Sequence, residues 1–288
     1  MTKAIVTLAV GDEYQALWET KARPSWERYA ARHGYEIIAL HEPIDPSPEV
    51  QRSMAWQKLL ILGHPKVSGF DRVVWLDCDL IINAEAAPCI VQHTPEEKVG
   101  AVLDMALLSH PGLSLPFELV NNWRGSNASF SQKIYELNGL RTPAPYFING
   151  GVLVLSRSHR EVLEHVYRTY RQGQYSYYEQ IGLSYELLTR GLHHALLPQF
   201  NALWLEYRSA AYPFVDRLPA MLPMCIAVAL RNSFFLHFAG HRRDMEAYDP
   251  DVVARDRSVV MGPRYIQRVA SEWTALAEAG AKTEKRET

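Results

Sequence analysis

Asp77 and Asp79 close an apolar run, Val73-Val74-Trp75-Leu76, and are followed at once by Leu80-Ile81-Ile82. Taken as one strand, this segment sends both carboxylates to the same face, because side chains alternate along a strand. Two like charges so close repel each other unless something positive sits between them. A divalent metal carrying a phosphorylated substrate answers that need, since hard cations take carboxylate oxygens and keep positions open for phosphate. An Asp-x-Asp string in a solvated turn would have polar flanks, whereas these flanks are strand-like. A second group lies in Phe235-Leu236-His237-Phe238-Ala239-Gly240-His241-Arg242-Arg243. Imidazole suits manganese better than magnesium, so two Asp and one His make a manganese site with open positions. Spacing alone leaves both His237 and His241 as candidates, and a lone histidine in an apolar strand has packing as its ordinary role. Gly240 lets the backbone approach a phosphate, and Arg243 has the charge to neutralise it.

The elements that must position these residues alternate between strand and helix. Ala4 to Val10 reads as a strand, and Glu13 to His33 as a helix interrupted near Pro24 and closed by Gly34. Tyr35 to His41 reads as a second strand, and a Pro-rich loop leads into a helix over about 51–62. Strands follow at 72–82 and 99–105, the second carrying Asp104 near its end. Residues 106–145 are rich in Pro, Gly, Ser and Asn, as in a long excursion over an active site. Order returns with a buried strand over 146–155, carrying Asn149, Gly150 and Gly151. Ser158 and Glu161 read as a capping box opening a helix to about Gly173. Another helix spans 178–190, short strands span 193–198 and 234–238, and 264–279 is helical by composition. This order predicts an α/β domain over 1–261 with a mostly parallel sheet, followed by a C-terminal helix and polar tail over 262–288. Ligands then bind at the carboxyl ends of the strands.

Composition narrows the partners. A chain of 288 residues, 48% hydrophobic and 22% charged, buries a full core. A formal charge of -2 gives no electrostatic footprint for nucleic acid. No segment approaches the roughly 20 apolar residues of a membrane span, which leaves peripheral contact as the form a membrane association would take. The three cysteines, Cys78, Cys89 and Cys225, lack metal-ligand spacing and suit a reducing compartment, so the expected location is cytoplasmic.

These motifs together resemble the nucleotide-sugar-dependent glycosyltransferases of the GT-A fold, particularly the retaining enzymes of glycosyltransferase family 8, with family 34 close behind. The opening strand, Val73-x-Trp75-Leu76-Asp77-x-Asp79, Ala101-Val102-Leu103-Asp104, Tyr146-Phe147-x-Asn149-x-Gly151-Val152, Glu179-Gln180 and His237-x-x-Gly240-x-x-Arg243 occur in the family's order. The resemblance spans roughly residues 4–243. It implies a mixed, mostly parallel Rossmann-like sheet flanked by helices and transfer of a sugar from a nucleoside diphosphate donor, UDP-hexose foremost, to a glycan or other hydroxyl acceptor with retention. It further implies Mn2+ or Mg2+ on Asp77, Asp79 and His237. Leu8, Ala9, Val10 and Gly11 match the strand and turn around the base and ribose, with Asp12 as a polar contact. Lys58, Asp104 and Asn149 match donor contacts, with Gly150, Gly151, Gly240 and Arg243 beside them. Glu179 and Gln180 match an Asp-Gln pair beneath the anomeric carbon and carry the catalytic assignment. The chain departs from family 8 in three places: Arg243-Asp244-Met245 replaces Lys-Pro-Trp, Glu179 replaces Asp, and Asn149 precedes a glycine pair.

Plainer roles stand beside these. Asp104 caps a turn, Lys58 is a solvated helix residue, Glu179 and Gln180 lie on an exposed helix face, or the glycine pair is a bulge. At the level of function, one alternative is a non-catalytic nucleotide-sugar-binding module, distinguished by donor binding without hydrolysis or transfer. The other is a haloacid-dehalogenase-type phosphatase, which needs its Asp motif near the start of the chain; here the motif follows two strand-helix units.

Overall fold

The computed structural model describes residues 1–47, 52–104, 131–141, 143, 146–171, 179–250 and 252. Among them nine strands form two sheets: β1 (Lys3–Leu8), β2 (Glu36–Leu40), β3 (Arg72–Leu76), β4 (Leu80–Ile82), β5 (Val99–Leu103), β6 (Ile148–Ser156), β7 (His193–Ala195), β8 (Ala202–Leu203) and β9 (Phe235–His237). The larger sheet runs β2-β1-β3-β6-β5-β7 and the smaller β4-β9-β8. β1 pairs in parallel with β2 and β3, and β5 with β7, but β6 runs antiparallel between β3 and β5. The direction of β6 matters for function. Its first residues, Asn149 to Gly151, lie at the edge where β3 and β5 end, so the start of one strand joins the ends of its neighbours.

The expected 72–82 strand is two strands in different sheets. β3 stops at Leu76, Asp77 to Asp79 form a turn, and β4 resumes in the small sheet. The acids therefore owe their proximity to a change of sheet rather than to strand alternation. Both flanks look strand-like in sequence because both are buried strands.

The long first helix divides as its proline predicts. α1 (Asp12–Leu17) leads into a π-turn at Trp18–Ala22, and α2 (Arg23–His33) follows with Pro24 in its first turn. A widened turn there accommodates the missing proline N–H without ending the helical path. Gly34 closes α2 in the left-handed conformation, φ 69°. Tertiary hydrogen bonds fasten α2 to the small sheet: Trp26 Nε1 donates to Leu80 O at 2.9 Å, and Ile82 N to Ser25 Oγ at 3.1 Å. The expected 51–62 helix is a 3-10 helix over Met54–Gly63, and Trp56, Gln57, Lys58 and Leu59 are all buried. Lys58 is thus no solvated helix residue.

α3 (Arg160–Thr169) packs against that 3-10 helix, and α4 (Gln180–Thr189) packs against β6 and α3. The cap preceding α3 lies two residues earlier than the sequence suggests: Ser156 and His159 form the capping box, with Ser156 N donating to His159 Nδ1 at 2.9 Å. α5 (Trp204–Ala210), α6 (Leu222–Arg231) and α7 (Arg242–Met245) complete the described α-helices, besides a short one at 131–137. Two apolar clusters lie on opposite faces of the large sheet. One holds α1, α2 and the small sheet; the other holds the 3-10 helix, α3 and α4. Most of the 106–145 excursion and the whole 262–288 segment lie outside the described residues.

Candidate active site

A cleft of about 1200 Å³ opens at the edge where β1 and β3 end and β6 begins. Asp77 and Asp79 reach it from the β3–β4 turn, and His237 reaches it from β9. The pairing of Leu80 with His237 across β4 and β9 puts the imidazole beside the preceding acid. His237 Nε2 lies 3.2 Å from Asp79 Oδ1 and 3.9 Å from Asp77 Oδ2. One ligand atom from each residue falls within 4.8 Å of the others. His241 is elsewhere, beginning α7 with Nδ1 at 3.7 Å from Asp244 Oδ2. Two carboxylates and an imidazole this close are a donor set that fits Mn2+, and fits Mg2+ less well because of the nitrogen.

Lys58 organises the floor of the cleft. Its buried ammonium lies 3.1 Å from Asp77 Oδ1 and 2.9 Å from Glu179 Oε1, and donates to Gly150 O at 3.0 Å. Burial by itself disfavours the ammonium, but Asp77 and Glu179 outweigh it and hold the Lys58 pKa above its ordinary value. Burial pushes the Glu179 carboxyl up, against the pull of Lys58. Trp75 Nε1 also donates to Asp77 Oδ1, at 2.8 Å. For Asp79, burial opposes ionisation but His237 more than offsets it, so its pKa is lowered. His237 is the mirror case: burial opposes the imidazolium, while Asp79 and then Asp77 raise its pKa.

A second line of side chains runs from the end of β5 across the start of β6 to β9. Asp104 accepts from Asn149 Nδ2 at 3.0 Å and from Gln180 Nε2 at 2.9 Å. Asn149 Oδ1 accepts from Gly151 N at 2.9 Å and from Asn201 Nδ2 at 2.8 Å, and Asn201 Oδ1 meets His237 Nδ1 at 2.8 Å. Asn201 is absent from the sequence-based set. Its only sequence cue is Leu197-Pro198, a turn signal ahead of a two-residue strand, and that says nothing of a partner 36 residues away. Glu206 on α5 is also new: burial, and secondarily Asp104, push its pKa up to about 8.

The glycine pair has a packing reason. A Cβ on Gly150 would stand 2.7 Å from Glu179 Oε1, and one on Gly151 would stand 2.3 Å from His237 Cε1. Gly151→Ala is therefore expected to displace the buried imidazole and to weaken any divalent cation held by Asp77, Asp79 and His237 by on the order of 10- to 100-fold, the scale of a disturbed metal-site neighbour. Titration of the variant with Mn2+ as the probe cation checks this; affinity equal to the parent's would show that the ring moves aside freely.

Other expected site residues divide. Leu8, Val10, Gly240 and Gln180 line the cleft, while Ala9 is fully buried in the core beside it. Gly11, φ 90°, precedes α1, and Asp12 is exposed at the first turn, outside the cleft lining. Arg243 is exposed on α7 and also outside the lining; its neighbour Arg242 turns to Glu13 at 2.8 Å.

No protein-family model matches the sequence, and no curated protein sequence does. Solved structures do. The WbbM bifunctional glycosyltransferase is similar over 92% of this chain and 51% of its own, at 13% identity and TM-score 0.51. The present chain thus spans about half of WbbM. A glycosyltransferase involved in the glycosylation of the major capsid of PBCV-1 matches 84% of this chain and 99% of its own, at 17% identity and TM-score 0.49. The galactosyltransferase LgtC, solved with donor and acceptor sugar analogues, matches 85% of this chain at 14% identity and TM-score 0.43. The fold shared with WbbM is the GT-A architecture, a mixed, mostly parallel sheet flanked by helices.

Proposed function

We propose that the protein is a metal-dependent glycosyltransferase that moves a hexose or pentose from a nucleoside diphosphate sugar, foremost a UDP-sugar, to a hydroxyl acceptor with retention of configuration. The observation that carries this reading is the convergence of Asp77, Asp79 and His237 at the cleft of a GT-A fold. A divalent cation on these three residues supplies, when bound, positive charge that neutralises the diphosphate as the glycosidic bond breaks.

The remaining residues support retention without a covalent intermediate. Glu179 is buried and already neutralised by Lys58, which makes it a poor nucleophile. Gln180 donates its amide N–H to Asp104. Its carbonyl oxygen remains available at the cleft, where it suits the partial positive charge of an oxocarbenium-like sugar. The leaving phosphate is then the base for the acceptor hydroxyl on the same face. Leu8 and Val10 give the nucleoside an apolar wall. No described helix is long and apolar enough to cross a membrane.

The deciding experiment is a screen of nucleotide sugars for metal-dependent hydrolysis, followed by proton NMR of the fresh transfer product. Donor binding with no turnover under any acceptor would favour a binding module, and an inverted anomeric centre would refute retention. Gln180→Ala is expected to cut kcat by about 10²-fold while leaving UDP affinity within a few fold, as befits a contact made mainly in the transition state. A proportional loss of UDP binding would remove Gln180 from the sugar.

The raised pKa of His237 adds a pH dependence. A cation takes Nε2 only after its proton leaves, so Mn2+ affinity is expected to fall with falling pH, the decline beginning above the ordinary histidine value of about 6.5. Mn2+ titrations from about pH 6 to about pH 8.5 check this, and a flat profile would count against His237 as ligand.

A further inference from the structure

We propose that Asn201 is a positioning residue that fixes which nitrogen of His237 faces the acids and ties that choice to the Asp104–Gln180 side of the cleft. The proposal rests on the metal reading above, but the argument for it is one of hydrogen-bond polarity. Two partners in the chain have no freedom: Gly151 N–H only donates, and the Asp104 carboxylate only accepts. Asn149 lies between them, so its Oδ1 faces Gly151 at 2.9 Å and its Nδ2 faces Asp104 at 3.0 Å. The second lone pair of Asn149 Oδ1 then receives Asn201 Nδ2 at 2.8 Å, which turns Asn201 Oδ1 toward His237 Nδ1, also at 2.8 Å. An amide oxygen accepts only. Nδ1 must therefore carry a proton, and Nε2, the nitrogen beside Asp79 and Asp77, is left as the ligand atom.

Asn201 is 2% exposed and His237 is 3% exposed, so water does not readily take over either bond. The strand pairing brings the two side chains together: Asn201 immediately precedes β8, whose Leu203 pairs with His237 on β9. The same amide thus holds a metal ligand through its oxygen and the Asn149–Asp104–Gln180 line through its nitrogen. These two roles can be separated by substitution.

Asn201→Asp keeps an acceptor for His237 Nδ1 but turns an oxygen toward Asn149 Oδ1, where a donor is needed. Asn201→Leu removes both bonds. The measurement is Mn2+ binding in the presence of UDP, read from the electron paramagnetic resonance of free Mn2+, together with kcat and KM for donor hydrolysis. The unsubstituted protein is expected to bind Mn2+, Asn201→Leu to bind it about 10- to 100-fold more weakly, and Asn201→Asp to bind within about threefold of the unsubstituted protein while losing about tenfold in kcat. Should the leucine variant fail to fold, the aspartate variant alone decides. Mn2+ affinity unchanged in Asn201→Leu, or reduced about tenfold in Asn201→Asp, overturns the proposal and leaves the glycosyltransferase reading standing. Absence of Mn2+ binding by the unsubstituted protein overturns the metal reading, and the role of Asn201 with it.

Discussion

Asp79→Asn is expected to abolish Mn2+ binding in the presence of UDP and to lower kcat/KM by about 10³-fold, the scale on which loss of one charge-stabilising group slows a reaction. Two effects act in the same direction. The substitution removes a negative charge from a site that, on the proposed reading, holds a dication against a diphosphate. It also places an amide beside His237 Nε2, where Asp79 Oδ1 now stands at 3.2 Å. An amide N–H there can donate to the ring lone pair and occupy the nitrogen that the metal requires. Asp77→Asn should cost turnover as well, but it has a second consequence because Asp77 is also a partner of Lys58 and Trp75. Asp79→Asn is therefore the cleaner test. A variant with full turnover in excess EDTA would remove the metal from the mechanism.

How far the site was legible depends on whether its signal was local. The run of apolar residues ending in Asp77 and Asp79 marked a buried strand reaching an edge, and that inference needed only neighbouring residues. The turn between the acids was not legible, because β3 and β4 have the same composition and differ only in the sheet they join. Lys58 stood in Trp56-Gln57-Lys58-Leu59-Leu60-Ile61, and a lone cation in so apolar a run could have been read as buried. Helical periodicity hid this, since the segment is a 3-10 helix with four consecutive buried residues. The glycine pair signalled close approach correctly, yet the groups that approach, Glu179 and His237, come from α4's N-cap and from β9. Asn201 had only the turn signal of Leu197-Pro198 before it; its contact with His237 exists only once β8 pairs with β9. Arg243 is the opposite case: its spacing from His237 was suggestive, but it is exposed on a four-residue helix and outside the cleft lining.

Lys58→Met is expected to destabilise the fold by about 3–5 kcal/mol, the cost of removing one member of a buried ion pair. The loss is large because two of its three partners are left unpaired. Glu179, 4% exposed, is left as a carboxylate with no cation, and Gly150 O loses its donor at 3.0 Å. Asp77 suffers less, being 30% exposed and still held by Trp75 Nε1. At about 2–4 °C per kcal/mol for a chain of this order of size, Tm should fall by about 10 °C. A methionine fills much of the lysine stem's volume, so the change reports charge more than packing. The double substitution Lys58→Met with Glu179→Leu should then recover at least half of the lost stability, because it removes the stranded carboxylate as well. Thermal and urea unfolding of both variants tests the argument. A single variant within about 1 kcal/mol of the parent would mean that Glu179 simply takes up a proton at little cost. A double variant no better than the single would locate the damage in packing rather than in the unpaired charge. Either result would deny Lys58 the part assigned to it, which is to hold Asp77 and Glu179 in one rigid floor beneath the cleft.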